Sequence, residues 1–277
     1  MENSGMRTAL VYDFDNTLAP GNMQEHSFIG KMGGTKEDFW GLVGATARQQ
    51  DADEILVYMQ LMLELARKNR TPITRESLRE HGKDIPLYAG LADKGWFLGM
   101  NAFAASLGLH LEHYLISSGN LEIVEGCRIF DQFAHVFASR FLYKKNVAIG
   151  PGVAINYTTK TQYLFRINKG ICNSWDNSQI NEFKPEHEKP IPFERMIYVG
   201  DGDTDVPSMK VVEDHGGHSI AVYDPGKDAR SLEKIHKLIA HKRVSFVAEA
   251  DYSKKSPMDI VVRGLLERIA RKHAAPV

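Results

Sequence analysis

The stretch VYDFDNTLAP, residues 11–20, sets Asp13 and Asp15 two positions apart at the end of an apolar run. Like charges repel and Asp is a poor strand former, so this placement needs a reason beyond the strand itself. The pair Asp15 and Asn16 favours leaving the extended conformation, which lets Asp15 swing beside Asp13 as the chain turns. Two carboxylates that close, partly buried, require a cation, a proton held on one of them, or both. Thr17 adds a hydroxyl nearby. Alone, the stretch would be an ordinary solvated strand-to-loop turn, so the weight falls on the rest of the chain.

A second acidic stretch follows another apolar run far downstream: IYVGDGDTD, residues 197–205. It offers Asp201, Asp203 and Asp205, with glycines that let backbone approach a ligand closely. Hard oxygen donors of this kind suit Mg²⁺. A calcium-binding EF-hand loop is excluded, because counting from Asp201 the sixth position is Val206 rather than Gly and the twelfth is Val212 rather than Glu. Between the two acidic stretches, ISSGN at 116–120 places Ser117, Ser118 and Gly119 at the end of an apolar run. Hydroxyls and backbone amides there form a natural cradle for an oxyanion, although Ser117 alone would serve equally as a helix cap. Two lysines, Lys160 in TTKTQ and Lys169 in RINKG, lie between this stretch and the second acidic one.

The organisation supports one α/β unit with an insertion. RTALVYD (7–13), HYLISSG (113–119), MIYVGDG (196–202), SIAVYD (219–224) and VSFVAEAD (244–251) read as strands buried on both faces. Helical patterns at 231–240 and 257–272 alternate with them, so we expect a Rossmann-like parallel sheet whose ligands sit at the carboxyl ends of its strands. Residues 36–68 carry continuous helical periodicity, 74–81 is short and charged, and 91–107 reads as another amphipathic helix. The expected division is therefore a core of 1–20 and 109–277 and a mostly helical cap domain, 21–108, inserted after the first strand. Residues 134–168 alternate apolar and polar positions around NVAIGPG, which predicts a β-hairpin excursion off the main sheet.

The chain has 277 residues, 43% of them hydrophobic, and 34 basic against 35 acidic side chains, with no block of like charge. That balance excludes an electrostatic nucleic-acid or membrane surface and points to a small-molecule partner. Cys127 and Cys172 stand 45 positions apart in no metal spacing, which fits a reducing, cytoplasmic setting, and no run approaches the ~18 apolar residues of a spanning helix. The histidine pairs in HLEH (110–113) and PEHEK (185–189) lack the partners of a zinc site.

With the motifs in this order, the sequence resembles the haloacid dehalogenase superfamily, in the branch similar to phosphoserine phosphatase with a helical cap. Its first motif, D-x-D-x-T/V, matches Asp13, Asp15 and Thr17; its second, a Ser or Thr closing a strand, matches Ser117; its fourth, GDGxxD, matches Asp201 and Asp205. Its third, a lysine near a helix start, is placed on Lys169 in preference to Lys160, with an inserted loop at 173–192. Thr204 stands where the family usually has Asn, and the added Asp203 leaves open which of Asp203 and Asp205 approaches the metal.

The resemblance implies a Mg²⁺-dependent phosphatase acting on a small phosphomonoester through an aspartyl-phosphate. Asp13 would be nucleophile and Asp15 general acid and base. Asp13, Asp15 through its carbonyl, Asp201 and Asp205 would hold the metal, with Thr17, Ser117, Ser118, Gly119 and Lys169 around the phosphate. A dehalogenase or phosphonatase fits less well, since Asp15 supplies the acid that alkoxide departure requires. A non-catalytic phospho-ligand binder has no use for a carboxylate facing an anion. The cap, including Glu25, His26, Phe28, Phe39 and Trp40, is expected to close over the site and select the leaving group, with most of these aromatics serving as cap core.

Overall fold

The computed structural model describes residues 5–202, 204–224, 226, 237–241 and 243–273. Asp203 and the first six residues of the helix expected at 231–240 lie outside this set.

A seven-stranded sheet runs in the order β4-β3-β2-β1-β5-β6-β7. Its strands are β1 (Met6–Tyr12), β2 (Leu109–Asn120), β3 (His135–Lys144), β4 (Val147–Val153), β5 (Met196–Gly200), β6 (His218–Tyr223) and β7 (Phe246–Glu249). Every pairing is parallel except β3 with β4. The core strands are apolar on both faces because both are covered. Leu10 and Tyr12 of β1 enter one core cluster, and Ala9 and Val11 the other. On the first face lie α5 (Gly95–Ser106) against β2 and α10 (Pro257–His273) against β7; on the second lie α7 (Lys160–Lys169) and α9 (Val206–Asp214). β1 sits at the centre, with the chain departing to β2 on one side and β5 on the other. Such a switch point opens a crevice at the strands' carboxyl ends.

The segment after β1 is helical: α1 (Phe28–Lys31), α2 (Lys36–Gln50), α3 (Glu54–Lys68) and α4 (Arg75–Gly82) precede α5. The continuous periodicity at 36–68 is interrupted, because Asp51 takes a left-handed conformation and the Asp53 carboxylate caps α3 by accepting from the amides of Ile55 and Leu56. α5 packs on the sheet, where Trp96 Nε1–H donates to the Tyr12 hydroxyl at 2.8 Å.

The hairpin expected within 134–168 forms as β3 and β4, but not apart from the main sheet. β3 is a member of the main sheet, pairing with β2 from Tyr114 to Asn120 and only then with β4. The hairpin turns at Lys145 and Asn146, both with positive φ, so of the expected turn NVAIGPG only Asn146 lies in the turn and the rest is in β4. Among the described residues no helix is long and apolar enough to cross a membrane.

Candidate active site

β1 delivers Asp13 to the sheet's carboxyl edge, where its amide extends the ladder by donating to Val199 O at 2.9 Å. The chain then coils tightly: the amides of Thr17, Leu18 and Ala19 all converge on the Phe14 carbonyl, with Asn16 at φ 57°. This coil turns Asp15 back beside Asp13, where its Oδ1 accepts from the Met23 amide at 2.9 Å. From below, the buried Tyr252 hydroxyl donates to Thr17 O at 2.8 Å.

β2 contributes through a bulge. Pairing with β3 jumps from Ser117 to Asn120, leaving Ser118 and Gly119 unpaired and facing the same cleft as Asp13. A Cβ on Gly119 would run into the end of the Met23 side chain, so a larger residue there would require that side chain to move. The Gly119 amide donates to Ser117 Oγ at 3.0 Å, while the buried Ser118 Oγ has no hydrogen-bond partner.

β5 leads to Asp201 and to Asp205 at the start of α9. One carboxylate oxygen from each of Asp13, Asp201 and Asp205 falls within 4.8 Å of the others. A Cβ on Gly200 would collide with the Asp205 carboxylate, so that residue must be glycine for the acid to fold back against the strand. Asp205 Oδ1 accepts from Tyr198 at 2.7 Å; its Oδ2 is buried with no hydrogen-bond partner.

The lysine at this centre is Lys160, at the first position of α7, with 1% of its surface exposed. Its Nζ lies 2.9 Å from Asp13 Oδ1 and 2.7 Å from Asp205 Oδ1. Lys169, on which the sequence reading placed the motif lysine, closes the same ten-residue helix at its other end, and its Nζ donates to the carbonyls of Ile180 and Glu182. It ties down the 173–192 loop and does not reach the carboxylates. The deciding cue is helix polarity: a lysine in the first turn points to the sheet's carboxyl edge, while one in the last turn lies at the far end, about 1.5 Å per residue away.

Burial pushes the Asp13 carboxyl well above the ordinary carboxylate range; the neighbouring Asp205 adds to this and Lys160 opposes it. Burial also lifts Asp15 to about 7, against the stabilising Met23 amide. Burial works against the Lys160 ammonium, yet Asp13 and Asp205 together raise its pKa, so the cation persists. A single ammonium does not balance three adjacent carboxylates, and the leftover acceptor on Asp205 faces no proton. That donor set fits a hard divalent cation.

The cleft above these groups has a volume of about 250 Å³. Its far wall comes from the insertion: Trp40 and Val43 of α2, Ile55 and Tyr58 of α3. Of the expected selectors, only Trp40 lines it, held by Nε1–H donation to Glu25 Oε1 at 2.8 Å. Phe28 and Phe39 are buried in the hydrophobic core, and His26 Nε2 is 2.7 Å from Pro20 O at the surface. Tyr58, Tyr157 and Tyr198 escaped the sequence reading, because their convergence depends on long-range packing that leaves no local pattern.

No protein-family model matches this sequence. The chain is 26% identical to an uncharacterized protein of Borreliella burgdorferi, over 89% of this chain and 92% of that one. Among solved structures it resembles a haloacid-dehalogenase-family hydrolase of Salmonella enterica serovar Typhi (TM-score 0.59, 14% identity, 95% of this chain and 72% of that one). It also resembles a probable phosphoserine phosphatase of Vibrio cholerae (0.57, 12% identity, 99% and 70%) and a substrate-bound phosphoserine phosphatase (0.55, 15% identity, 93% and 98%). The fold is thus that of the haloacid dehalogenase superfamily, in its phosphoserine-phosphatase-like form.

Proposed function

We propose that the protein is a Mg²⁺-dependent phosphatase of small phosphomonoesters working through an aspartyl-phosphate. The observation that carries this reading is the Asp13, Asp201 and Asp205 cluster with Lys160 bound into it, at the switch point of a phosphatase-like fold. Asp13, Asp201 and Asp205 would hold the cation, with the Asp15 carbonyl as the fourth protein group; bound there, Mg²⁺ would neutralise phosphoryl charge and keep the carboxylates ionised.

Asp13 attacks phosphorus in line, and Asp15 donates its proton to the departing alkoxide oxygen. A carboxyl raised to about 7 suits this task, being protonated often enough to donate and ionised readily enough to activate water afterwards. Lys160 takes the phosphate-binding role expected of Lys169: its ammonium steadies Asp13 against the approaching anion. Thr17, Ser117, Ser118 and Gly119 offer hydroxyls and amides to the phosphoryl oxygens, the unpartnered Ser118 Oγ foremost. We draw the cap at about residues 21–90, since α5 belongs to the layer on the sheet. α2 and α3 wall the cleft and limit water access.

The test is inorganic phosphate release from nitrophenyl phosphate with Mg²⁺ or EDTA, in wild type and Asp13→Asn. Turnover that needs metal and vanishes in the variant supports the reading; turnover surviving in Asp13→Asn sinks the covalent mechanism.

A further inference from the structure

The cleft's far wall has a composition that the phosphate chemistry does not use. Resting on the phosphatase reading, we propose that the leaving group is a small cationic amino alcohol, its ammonium held by the rings of Trp40, Tyr58 and Tyr157 beside the Glu54 carboxylate. All four line the cleft that contains Asp13 and Asp15.

Each ring is fixed by its own polar end. Trp40 donates to Glu25 Oε1 at 2.8 Å, Tyr58 to Ser118 O at 2.8 Å and Tyr157 to Glu54 Oε2 at 3.2 Å. Trp40 and Tyr58 meet edge to face, 5.9 Å between centroids at 71°, so they form a corner rather than a stacked slot. A corner offers ring faces to a compact, roughly spherical group, whereas a flat base would need parallel walls. Tyr58 also links this corner to the phosphate end, because the carbonyl it holds belongs to Ser118 in the β2 bulge. A short spacer between ester oxygen and cation therefore spans the two subsites.

Charge points the same way. Among the described lining residues the acids are Asp13, Asp15, Glu54 and Asp201, and the base is Lys160, already engaged by Asp13 and Asp205. A leaving group that carries a carboxylate would meet Glu54 with no cation in the wall to pair it. The exposed Arg48 does not line the cleft, although its Nη1 lies 3.4 Å from where a Cβ on the lining residue Gly44 would stand. The volume of about 250 Å³ falls below the ~300–1,000 Å³ of pockets for larger ligands. An electron-rich corner with a carboxylate at its mouth is suited to a quaternary or primary ammonium.

The experiment compares kcat/KM for phosphocholine, phosphoethanolamine, phosphoserine and the neutral tert-butyl isostere of phosphocholine, in wild type, Trp40→Leu and Glu54→Gln. We expect the cationic esters to exceed the neutral isostere by roughly tenfold or more, and both variants to narrow that ratio. The ratio is taken within each variant, so loss of folded protein does not mimic the effect. Equal rates for phosphocholine and its isostere overturn the proposal, as does a preference for phosphoserine that Arg48→Ala removes. If nitrophenyl phosphate is not hydrolysed either, the phosphatase reading falls. Calorimetric titration with choline against its neutral alcohol isostere then decides the cation site by itself: selective choline binding that Trp40→Leu weakens supports it, and indifference between the two overturns it.

Discussion

Two buried polar clusters flank β1, and they are built on opposite principles. Towards the helical layer of α5, Trp96 donates to Tyr12, the Tyr12 hydroxyl meets His113 Nδ1 at 3.0 Å, and His113 Nε2 meets Asn101 Oδ1 at 3.1 Å. That chain is neutral and every donor finds an acceptor if His113 carries its proton on Nε2. At the carboxyl edge, Lys160, Asp13 and Asp205 form a charged cluster that leaves Asp205 Oδ2 and the nearby Thr17 Oγ1 and Ser118 Oγ without partners. Most of these side chains are buried, and at a buried position an unsatisfied polar atom costs ~1–3 kcal/mol. The first is saturated and specifies how layers pack; the second keeps open valences that a ligand can fill.

The sharpest way to break this contrast is Asp13→Asn. Phosphate release should drop by at least roughly a thousandfold, while metal-free thermal stability stays level or rises, because a neutral amide removes a carboxylate pressed against Asp205. A steep loss of stability would instead make the cluster structural.

Next in size is Lys160→Met set against Lys169→Met. Stranding Asp13 and Asp205 without their ammonium should cost about 3–5 kcal/mol in denaturant unfolding, along with activity. Lys169→Met loses two carbonyl contacts at a loop, about 1–3 kcal/mol, with kcat changed less than a few fold. Activity lost only in the Lys169 variant would return the motif lysine to the residue first chosen.

That choice marks where the sequence stops being legible. The apolar runs of β1, β2 and β5 announced themselves because a strand buried on both faces has no polar alternation to hide it. The acids after them were legible for the same reason, as charges in the wrong place. Both lysines were visible too, but placing one in the site required knowing that α7 begins at residue 160, and Thr159 gives no side-chain cap to mark it. β3 was misplaced because period-two alternation reports a half-buried strand without saying that its first half pairs with β2 and its second with β4.

The neutral cluster makes its own prediction. Burial lowers His113 to about 3, far below the ~6.5 of an unfolded chain, so below pH 6.5 the unfolded state takes up a proton that the folded state refuses. Stability should therefore fall as pH drops from 6.5 towards 3. Between pH 7 and 4.5 wild type should lose about 2–3 kcal/mol more than His113→Gln in urea unfolding; equal losses would show the ring already charged in the fold.

The smallest effect tests the joint between cap and site. Tyr58→Phe removes one hydrogen bond to Ser118 O, worth about 1 kcal/mol of stability. A loosened bulge should show as a raised KM, read from initial rates across substrate concentrations. A change confined to kcat would mean that the hydroxyl acts on the chemistry rather than on the loop.

The bond from Tyr252 to Thr17 O joins positions 235 apart in the chain. During synthesis, the coil after β1 must wait for a further 235 residues to leave the ribosome before its floor arrives, and β5, with the second acidic stretch, comes almost as late. At ~5–20 residues per second, the first acids spend on the order of ten seconds or more tethered but unassembled. An N-terminal fragment released early would carry both carboxylates of the opening stretch without Asp201 and Asp205, so the acidic cluster cannot assemble in it.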